Sequence, residues 1–412
     1  MVLLRHIAIV PLLTFALAAC AGTVPPAPSP SSTASPAGVA SPAGAIAPSP
    51  PATAATPIPR PPDLAGAHFS TVGWKTDFAR HSVPLAEIRS GGPGRDGIPP
   101  LDAPKFVGVE EVPWLKPREP VILFAVGDDA RAYPLQILIW HEIVNDVVGG
   151  APVAVTFCPL CNTAIAFDRR LDGRTLDFGT TGKLRRSDLV MWDRQTESWW
   201  QQITGEAIVG ELTGRHLTML PATIVAWEEF RARFPHGQVL SRETGHDRDY
   251  GRNPYAGYDE VDTPPFLLDE RPDGRLPPKE RVVTVSLGGE DVAYPFGRLA
   301  ERRTIADTVG GQPLVVLFQP GTASALDQGD IASSRDVGAV GVYRPQAGGR
   351  ALTFAWRDGA FTDEETGSRW TLLGEATAGS LTGQRLEPVV HGTHFWFAWA
   401  AFKPQTRIYG RP

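Results

Sequence analysis

The sequence predicts an α+β protein, β-dominated, with two pseudo-symmetric repeated units forming one globular body after a disordered N-terminal linker. Three observations support this fold class. Short apolar runs rich in β-branched residues recur along the 412-residue chain, separated by turns that contain Gly and Asp. Blocks of similar sequence return at a nearly constant spacing. A long segment made almost wholly of Pro, Ala, Ser, Thr and Gly precedes these blocks.

Residues 1–20 have the pattern of a lipoprotein signal peptide. Arg5 and His6 form a short positive region, residues 7–19 are apolar, and small residues precede Cys20. Cys20 is therefore the predicted lipidation site. We expect an exported protein whose partner is a membrane, reached through an N-terminal lipid anchor. Because Ala21 is not an aspartate retention signal, the outer membrane is favoured if the host has one.

Residues 21–62 predict a disordered linker, because they carry too little apolar bulk to offset the entropy lost on ordering. Residues 63–116 are assigned to an N-terminal extension. The chain has 39 Lys and Arg against 45 Asp and Glu, a net charge of −6, and no basic run. This composition gives no indication of a nucleic-acid partner. It does not identify a small-molecule or protein partner.

Residues 117–262 and 263–412 are the two predicted repeat units. Ala132-Tyr-Pro134 returns as Ala293-Tyr-Pro295, 161 residues later, and the block that ends at Trp200 returns at Trp370, 170 residues later. Aligned at the first spacing, the second unit replaces His141, Cys158 and Cys161 by Arg302, Gln319 and Thr322. Whatever chemistry the cysteines carry is therefore expected in the first unit alone.

Most predicted elements are strands, at 121–126, 143–148, 153–157, 164–168, 175–178 and 282–287. Gly149-Gly150 predicts a tight hairpin turn between the second and third of these strands. Leu171-Asp-Gly-Arg174 predicts a second hairpin. A short helix is expected at 135–139. A longer amphipathic helix is expected at 221–234, because Ile224, Trp227, Phe230 and Phe234 fall on one face, and its counterpart is at 395–402.

Cys158 and Cys161 are the candidate catalytic or metal-binding residues, on a Cys-Pro-Leu-Cys turn after an apolar strand. A regular Gly-Gly hairpin would pair position 148 with 151, and the same register places His141 across from Cys158. Directly paired residues have Cβ atoms about 4.5–5.5 Å apart. The sequence therefore predicts one compact site of His141, Cys158 and Cys161, provided that no bulge interrupts the hairpin.

Three interpretations of this site remain open. The first is a transition-metal site, for Zn, Cu or Fe, whose three ligands leave room for a fourth from His216, His246, a carboxylate or water. The second is a metal-free thiol-disulfide oxidoreductase with Cys158 as the nucleophile. A strand rather than a helix is expected after Cys161, which departs from the usual oxidoreductase arrangement. The third is a non-catalytic binding lipoprotein with a structural disulfide.

Two further segments are candidates for ligand contacts. The polar loop at 244–259 has no counterpart in the second unit, and its candidate ligand-binding residues are Asp247, Asp249, Arg252 and Asn253. The same loop could instead be a strap that joins the two units, and its resemblance to a calcium loop is incomplete. A second candidate segment has basic residues at 183–186 followed by Trp192, Trp199 and Trp200. These residues could line a pocket for an anionic or planar ligand. Alternatively, the tryptophans belong to the hydrophobic core and the charged residues are solvated at its edge.

Six motifs of this chain are long and specific: Trp140–Asp146, Cys158–Thr163, Ser187–Met191, Asp247–Tyr255, Gly321–Asp327 and Phe395–Trp399. Together they resemble the bacterial family catalogued as domain of unknown function 3179, which is found largely in exported proteins. The resemblance covers roughly Pro117 to the C-terminus. It implies membership but brings no established activity, so whether the protein is an enzyme stays open. His246 stands where an apolar aromatic is typical of the family, which disfavours it as a ligand.

Overall fold

The computed structural model describes residue 64 and residues 66–411, and within them β-structure dominates, as the sequence predicted. The predicted signal peptide, the lipidation site Cys20 and the linker at 21–62 lie outside the described residues. Among the described residues, no helix combines the length and the apolar character needed to cross a membrane. The four α-helices there have seven residues each.

The elements of the first half run in the following order: β1 (Ile88–Ser90), β2 (Phe106–Gly108), β3 (Pro120–Val126), β4 (Asp129–Pro134), α1 (Leu135–His141), β5 (Ile143–Val148), β6 (Ala151–Cys158), β7 (Thr163–Asp168), β8 (Arg170–Leu171), β9 (Arg174–Thr175), β10 (Phe178–Arg185), β11 (Asp188–Asp193), β12 (Trp199–Gln201), β13 (Glu206–Val209), β14 (Met219–Leu220), β15 (Ala222–Ala226), α2 (Trp227–Arg233) and β16 (Gln238–Leu240). Single 3-10 turns lie at Leu85–Glu87, Val109–Glu111 and Pro159–Cys161.

The second half continues with β17 (Arg281–Leu287), β18 (Glu290–Pro295), α3 (Phe296–Arg302), β19 (Thr304–Val309), β20 (Gln312–Gln319), β21 (Ala339–Tyr343), β22 (Gln346–Ala347), β23 (Arg350–Ala351), β24 (Phe354–Arg357), β25 (Ala360–Asp363), β26 (Arg369–Trp370), β27 (Ala376–Ala378), β28 (Gly392–Phe395), α4 (Trp396–Phe402) and β29 (Arg407–Ile408). A 3-10 turn lies at Ile331–Ser333.

These strands form several small sheets, three of which build most of the first half. Their strand orders are β1-β10-β11-β12-β13, β14-β7-β6-β5 and β15-β3-β4-β16-β2. The second half has the orders β28-β17-β18-β29, β19-β20-β21 and β24-β25-β26-β27. Most neighbours are antiparallel, and the exceptions are β16 beside β4 and β29 beside β18. Short hairpin connections explain this arrangement, because antiparallel strands need only a tight turn between them.

The run from β3 to β6 and the run from β17 to β20 have the same order of elements and the same lengths. Each of the five elements in the later run begins and ends 161 residues after its counterpart, from Pro120 and Arg281 to Cys158 and Gln319. Both halves contribute to one buried apolar cluster, which includes Phe157 and Trp200 as well as Phe395. That the two runs arose as repeats of one unit stays a prediction.

The hairpin of β5 and β6 has the predicted register, with Val148 opposite Ala151 and Ile143 opposite Thr156. Gly149 and Gly150 have φ of 54° and 80°. A two-residue turn with positive φ at both positions matches the right-handed twist of the strands it joins, and glycine adopts it without a Cβ clash. The glycine pair therefore sets the register of the strand that leads to the cysteines.

The prediction of a helix at 221–234 is wrong for the first half of that segment. Residues 222–226 form β15, which pairs along β3, and α2 begins only at Trp227. Thr223, Ile224 and Val225 are β-branched, so they favour a strand where an open sheet edge is available to pair with. The second hairpin is also shorter than expected, because β8 and β9 have two residues each and the next strand starts at Phe178.

Candidate metal centre

The Cys-Pro-Leu-Cys turn closes the end of β6 tightly against β7. Cys158 is the last residue of β6, the 3-10 turn Pro159–Cys161 follows, and Asn162 reverses the chain with a φ of 49°. Cys158 consequently pairs with Thr163 at the start of β7. Both cysteines are free and buried, with relative exposures of 1% and 0%. A strand follows Cys161, as predicted.

Asp188 is brought to the two cysteines by the neighbouring hairpin of β10 and β11. The turn of that hairpin consists of Arg186 and Ser187, whose φ values are 52° and 69°. Two consecutive non-glycine residues with positive φ are unfavourable and require support from the surrounding structure. The turn places the Ser187 carbonyl 3.5 Å from the Cys161 Sγ, which donates to it.

The donor atoms of Cys158, Cys161 and Asp188 all lie within 4.8 Å of one another, and all three residues are buried. One Asp188 oxygen, Oδ2, accepts hydrogen bonds from Gln201 Nε2 at 2.6 Å and from the Ile203 amide at 3.0 Å. The other oxygen, Oδ1, is buried and accepts no hydrogen bond of ordinary geometry from the described residues. The carboxylate is thus held by one oxygen while the second remains available to a ligand.

The centre is electrostatically unusual because it concentrates acidic groups in a buried place. Burial raises the pKa of Asp188 to about 6 and raises the pKa of both thiols, with Cys161 further affected by its contact with Cys158. Burial and the charge of Asp188 raise the pKa of Glu142 to about 8. Among the described residues, no Lys, Arg or His forms an ion pair with any of these four groups. A bound cation would supply the missing positive charge.

His141 lies outside this group of three, and its predicted pairing with Cys158 is wrong. The helix α1 continues through His141, and the next residue, Glu142, has a φ of 59°, so the β5 ladder begins only at Ile143. The His141 Nδ1 lies 2.7 Å from the Pro99 carbonyl oxygen, and its Nε2 lies 2.7 Å from the Tyr250 hydroxyl. Burial lowers the pKa of His141 to about 4. Its ring contacts His246, at 5.3 Å between centroids.

The polar loop after the first half reaches across to the second half. The Asn253 side chain is buried, and its Nδ2 donates to the Gln328 carbonyl at 3.2 Å, while the amides of Asn253 and Gly257 donate to Gly329 and Asp327. Asp249 and Arg252 form an exposed ion pair at 3.8 Å. Asp247 is also exposed. Neither aspartate belongs to a group of three metal-ligating side chains in the described part of the chain.

Sequence reasoning missed two acidic residues, Asp188 within the centre and Glu142 beside it. Asp188 lies inside a polar stretch in which the basic and aromatic residues give the stronger signal, and Glu142 stands next to the more conspicuous His141. The ligands expected from the sequence, His141, Cys158 and Cys161, leave a fourth position open. A carboxylate is among the candidates for that position. The folding of the β10–β11 hairpin onto the cysteine turn is non-local, and no spacing along the chain encodes it.

The fold and the site together define a β-dominated protein with one buried centre of two thiols and a carboxylate. The family described as "Protein of unknown function (DUF3179)" matches residues 95–406. The chain therefore belongs to this family, and the match begins earlier than the motifs had indicated. No curated protein and no solved structure matches the chain.

Proposed function

We propose that this protein is an exported, lipid-anchored metalloprotein that binds one transition metal ion through Cys158, Cys161 and Asp188. The observation that carries the proposal is the convergence of three buried donor atoms within 4.8 Å of one another. Two thiolates and one carboxylate suit zinc or iron, and the thiolates also suit copper. Three protein ligands leave a position for a water molecule or a substrate, which is the pattern of reactive rather than structural zinc sites.

The absence of a counter-charge supports a cation at this place. Burying ionised groups without partners costs several kcal/mol, so unpaired acids either stay protonated or meet a positive charge. A metal ion deprotonates its thiol ligands and pairs with the carboxylate in one step. The Asp188 Oδ1, which accepts no hydrogen bond of ordinary geometry from the described residues, is the oxygen that the ion would use.

The metal-free thiol oxidoreductase is less well supported. The attacking species in such enzymes is a thiolate, whose formation is favoured by a nearby positive charge or a helix N-terminus. Here burial raises the pKa of both thiols, and β7 rather than a helix follows Cys161. A buried dithiol without a cation would be slow to react.

Elemental analysis of protein purified from its own host, combined with thiol titration, tests the proposal. We expect about one equivalent of transition metal, because the centre has a single set of ligands. Cys161→Ser should lose the metal, and Asp188→Asn should lower the affinity at least tenfold. Asp358→Asn is the matched control, since this aspartate lies 170 residues after Asp188 and is exposed. It should retain the metal, and so should His141→Gln.

The other interpretations predict different results. Reactive thiols without metal would support the dithiol oxidoreductase. A permanent disulfide without metal would support the non-catalytic binding lipoprotein. Loss of the metal in His141→Gln, with retention in Asp188→Asn, would restore the ligand set expected from the sequence. The lipid anchor is tested separately, since Cys20→Ser should release the protein from the membrane fraction.

A further inference from the structure

A cavity of about 310 Å³ adjoins the thiol–carboxylate centre. Two wall residues are chain neighbours of the proposed ligands: Leu160 lies between the cysteines, and Leu189 follows Asp188. Tyr255 and Tyr258 of the polar loop complete this side. The volume falls in the range of small-molecule sites, about 300–1,000 Å³, and the wall is mostly apolar with a few polar groups, as such sites usually are.

Glu142 faces this cavity without a partner. The residue is 93% buried, since its relative exposure is 7%, and its carboxyl group makes no hydrogen bond or ion pair with any described residue. Its backbone holds a φ of 59°, while its amide and carbonyl are bonded to Leu138 and Phe157. The backbone position is therefore fixed, and the side chain is left to meet something that enters the cavity. A buried polar group with no partner is costly unless a ligand or water satisfies it.

Lys183 lines the same cavity and is also unpaired. It is half-buried on β10, and its ammonium forms no ion pair or hydrogen bond with the described residues, Glu142 included. Burial lowers its pKa, and no neighbouring charge opposes this effect. One cavity thus presents a cation and a carboxyl group, each without a partner among the described residues, at separate points of an apolar wall.

We propose that this cavity binds a small organic acid with an apolar body. The acid's anionic group pairs with the Lys183 ammonium, and a hydroxyl or amino group on the same molecule donates to Glu142. The apolar body packs on Leu160, Leu189 and the two tyrosines. Its assignment as the substrate of the centre rests on the metal site proposed above, whereas its binding depends only on the cavity.

An exposed residue of the cavity wall is consistent with an apolar ligand. Phe266 belongs to its wall and is one of few large apolar side chains exposed on the described surface, at 46%. Its amide donates to the Tyr258 hydroxyl at 3.2 Å, which ties this residue to the cavity wall. Arg89 and Asp269 form an ion pair at 2.8 Å near the same segment of chain. An apolar ligand that packs against Phe266 would cover this exposed ring without breaking a hydrogen bond of its side chain.

Calorimetric titration with L-3-phenyllactate tests the proposal on the full chain. The controls are 3-phenylpropanoate, which lacks the hydroxyl, and 3-phenylpropane-1,2-diol, which lacks the carboxylate. We expect phenyllactate to bind and each control to bind at least tenfold more weakly, because each loses a hydrogen bond to a charged or buried group. Equal binding of the three probes, or no binding at millimolar concentration, overturns the proposal. These titrations need only the wild-type chain.

Two variants assign the contacts. Lys183→Met keeps the apolar stem and should weaken phenyllactate binding about tenfold while leaving the diol unaffected. Glu142→Leu removes both acceptor oxygens and should therefore remove the preference for the hydroxyl. Lys105→Met, at a lysine whose side chain is 66% exposed, is the control and should bind like the wild type. Metal is measured in the same samples: metal without phenyllactate binding overturns this inference alone, and absence of metal overturns the proposed function alone.

Discussion

The run β3–β6 and the run β17–β20 share their backbone but differ in the chemistry that they carry. Glu142 and Arg303 occupy the same place, with φ of 59° and 65°, and each donates its amide to the helix carbonyl four residues earlier. Each carbonyl then accepts from the adjacent strand, at Phe157 and at Phe318, in both cases at 2.8 Å. The unusual backbone therefore belongs to the architecture, and only the side chain at that place makes it part of a site.

The two runs end differently, and this difference creates the centre. After Cys158 the chain turns within four residues and re-enters the sheet at Thr163, whereas after Gln319 it leaves the sheet for residues 320–338 before Ala339 pairs in the same way. The short turn brings the second cysteine back beside the first. The long connection instead receives the polar loop, through bonds such as the Gly257 amide to the Asp327 carbonyl.

The neighbouring hairpins repeat this contrast. Asp193 accepts from the Trp200 indole at 2.9 Å, and Asp363 accepts from the Trp370 indole at the same distance. However, β11 has six residues and β25 has four, so the residue 170 positions after Asp188 falls in an exposed turn. A longer hairpin is what carries a carboxylate to the cysteines in the first half. Strand and turn length therefore decide which half brings two thiols and a carboxylate together.

Metal removal should produce the largest difference between the two halves. A ligand present at a thousandfold excess over its dissociation constant stabilises the folded state by about 4 kcal/mol. A chelator should therefore lower the free energy of unfolding of the wild type by about that amount, measured by urea denaturation. In Cys158→Ser the chelator should have no effect. Gln319→Ser, at the counterpart position, should remain as sensitive to the chelator as the wild type, and insensitivity there would contradict the comparison.

How much of this was predictable depends on the range of the interaction. The Gly149-Gly150 turn fixed the β5–β6 register correctly, because turn geometry is local and glycine removes the steric cost of positive φ. The extension of that register to His141 failed at Glu142, an ordinary residue in a conformation that glutamate seldom adopts. Periodicity also mistook β15 for helix, because the β3 edge that it pairs with lies about a hundred residues earlier in the chain.

The composition of the centre could be predicted only in part. Cys158 and Cys161 were recognisable from their spacing, since that spacing is itself the chemical signal. Asp188 comes from a separate hairpin, and its proximity to the cysteines depends on how two sheets pack. Glu142 lies beside Cys158 through the β5–β6 hairpin itself, since its carbonyl accepts from the Phe157 amide. The sequence predicts that a further candidate ligand is needed beside the cysteines. The tertiary fold is required to identify it as Asp188.

The paired tryptophans offer a test of equivalence with a smaller expected effect. Trp200→Phe and Trp370→Phe each remove an indole donor from a fully buried aspartate while keeping an aromatic ring. Hydrogen bonds to charged groups contribute about 1.5–3 kcal/mol, so each variant should lose about 2 kcal/mol in urea denaturation. The two losses should agree within about 0.5 kcal/mol. A marked loss in one variant and none in the other would show that the similar geometry hides different energetics.

His394 gives an effect of similar size that depends on pH. It occupies on β28 the place that Val225 holds on β15, since these residues pair with Val282 and Val121, which are 161 positions apart. The imidazole is buried, its Nδ1 lies 2.8 Å from the Thr163 hydroxyl, and burial lowers its pKa to about 3. As pH falls below the ordinary value of 6.5, the unfolded chain takes up a proton that the folded chain excludes, so stability is lost.

Replacing this histidine by the residue of the other half, His394→Val, should remove that loss. Between pH 8 and pH 5 the wild type should lose about 2 kcal/mol that the variant keeps, because one pKa unit corresponds to about 1.4 kcal/mol. Urea denaturation of both proteins, metal-free so that acid release of metal adds nothing, measures the difference at each pH. The Thr163 hydroxyl still donates to the Cys161 carbonyl in the variant, at 3.2 Å, so it is not left unsatisfied. If the free energies of unfolding of the wild type and His394→Val depend on pH in the same way, the imidazole is protonated in the folded state. The site of His394 would then accommodate a positive charge, whereas its counterpart in the first half holds the uncharged Val225.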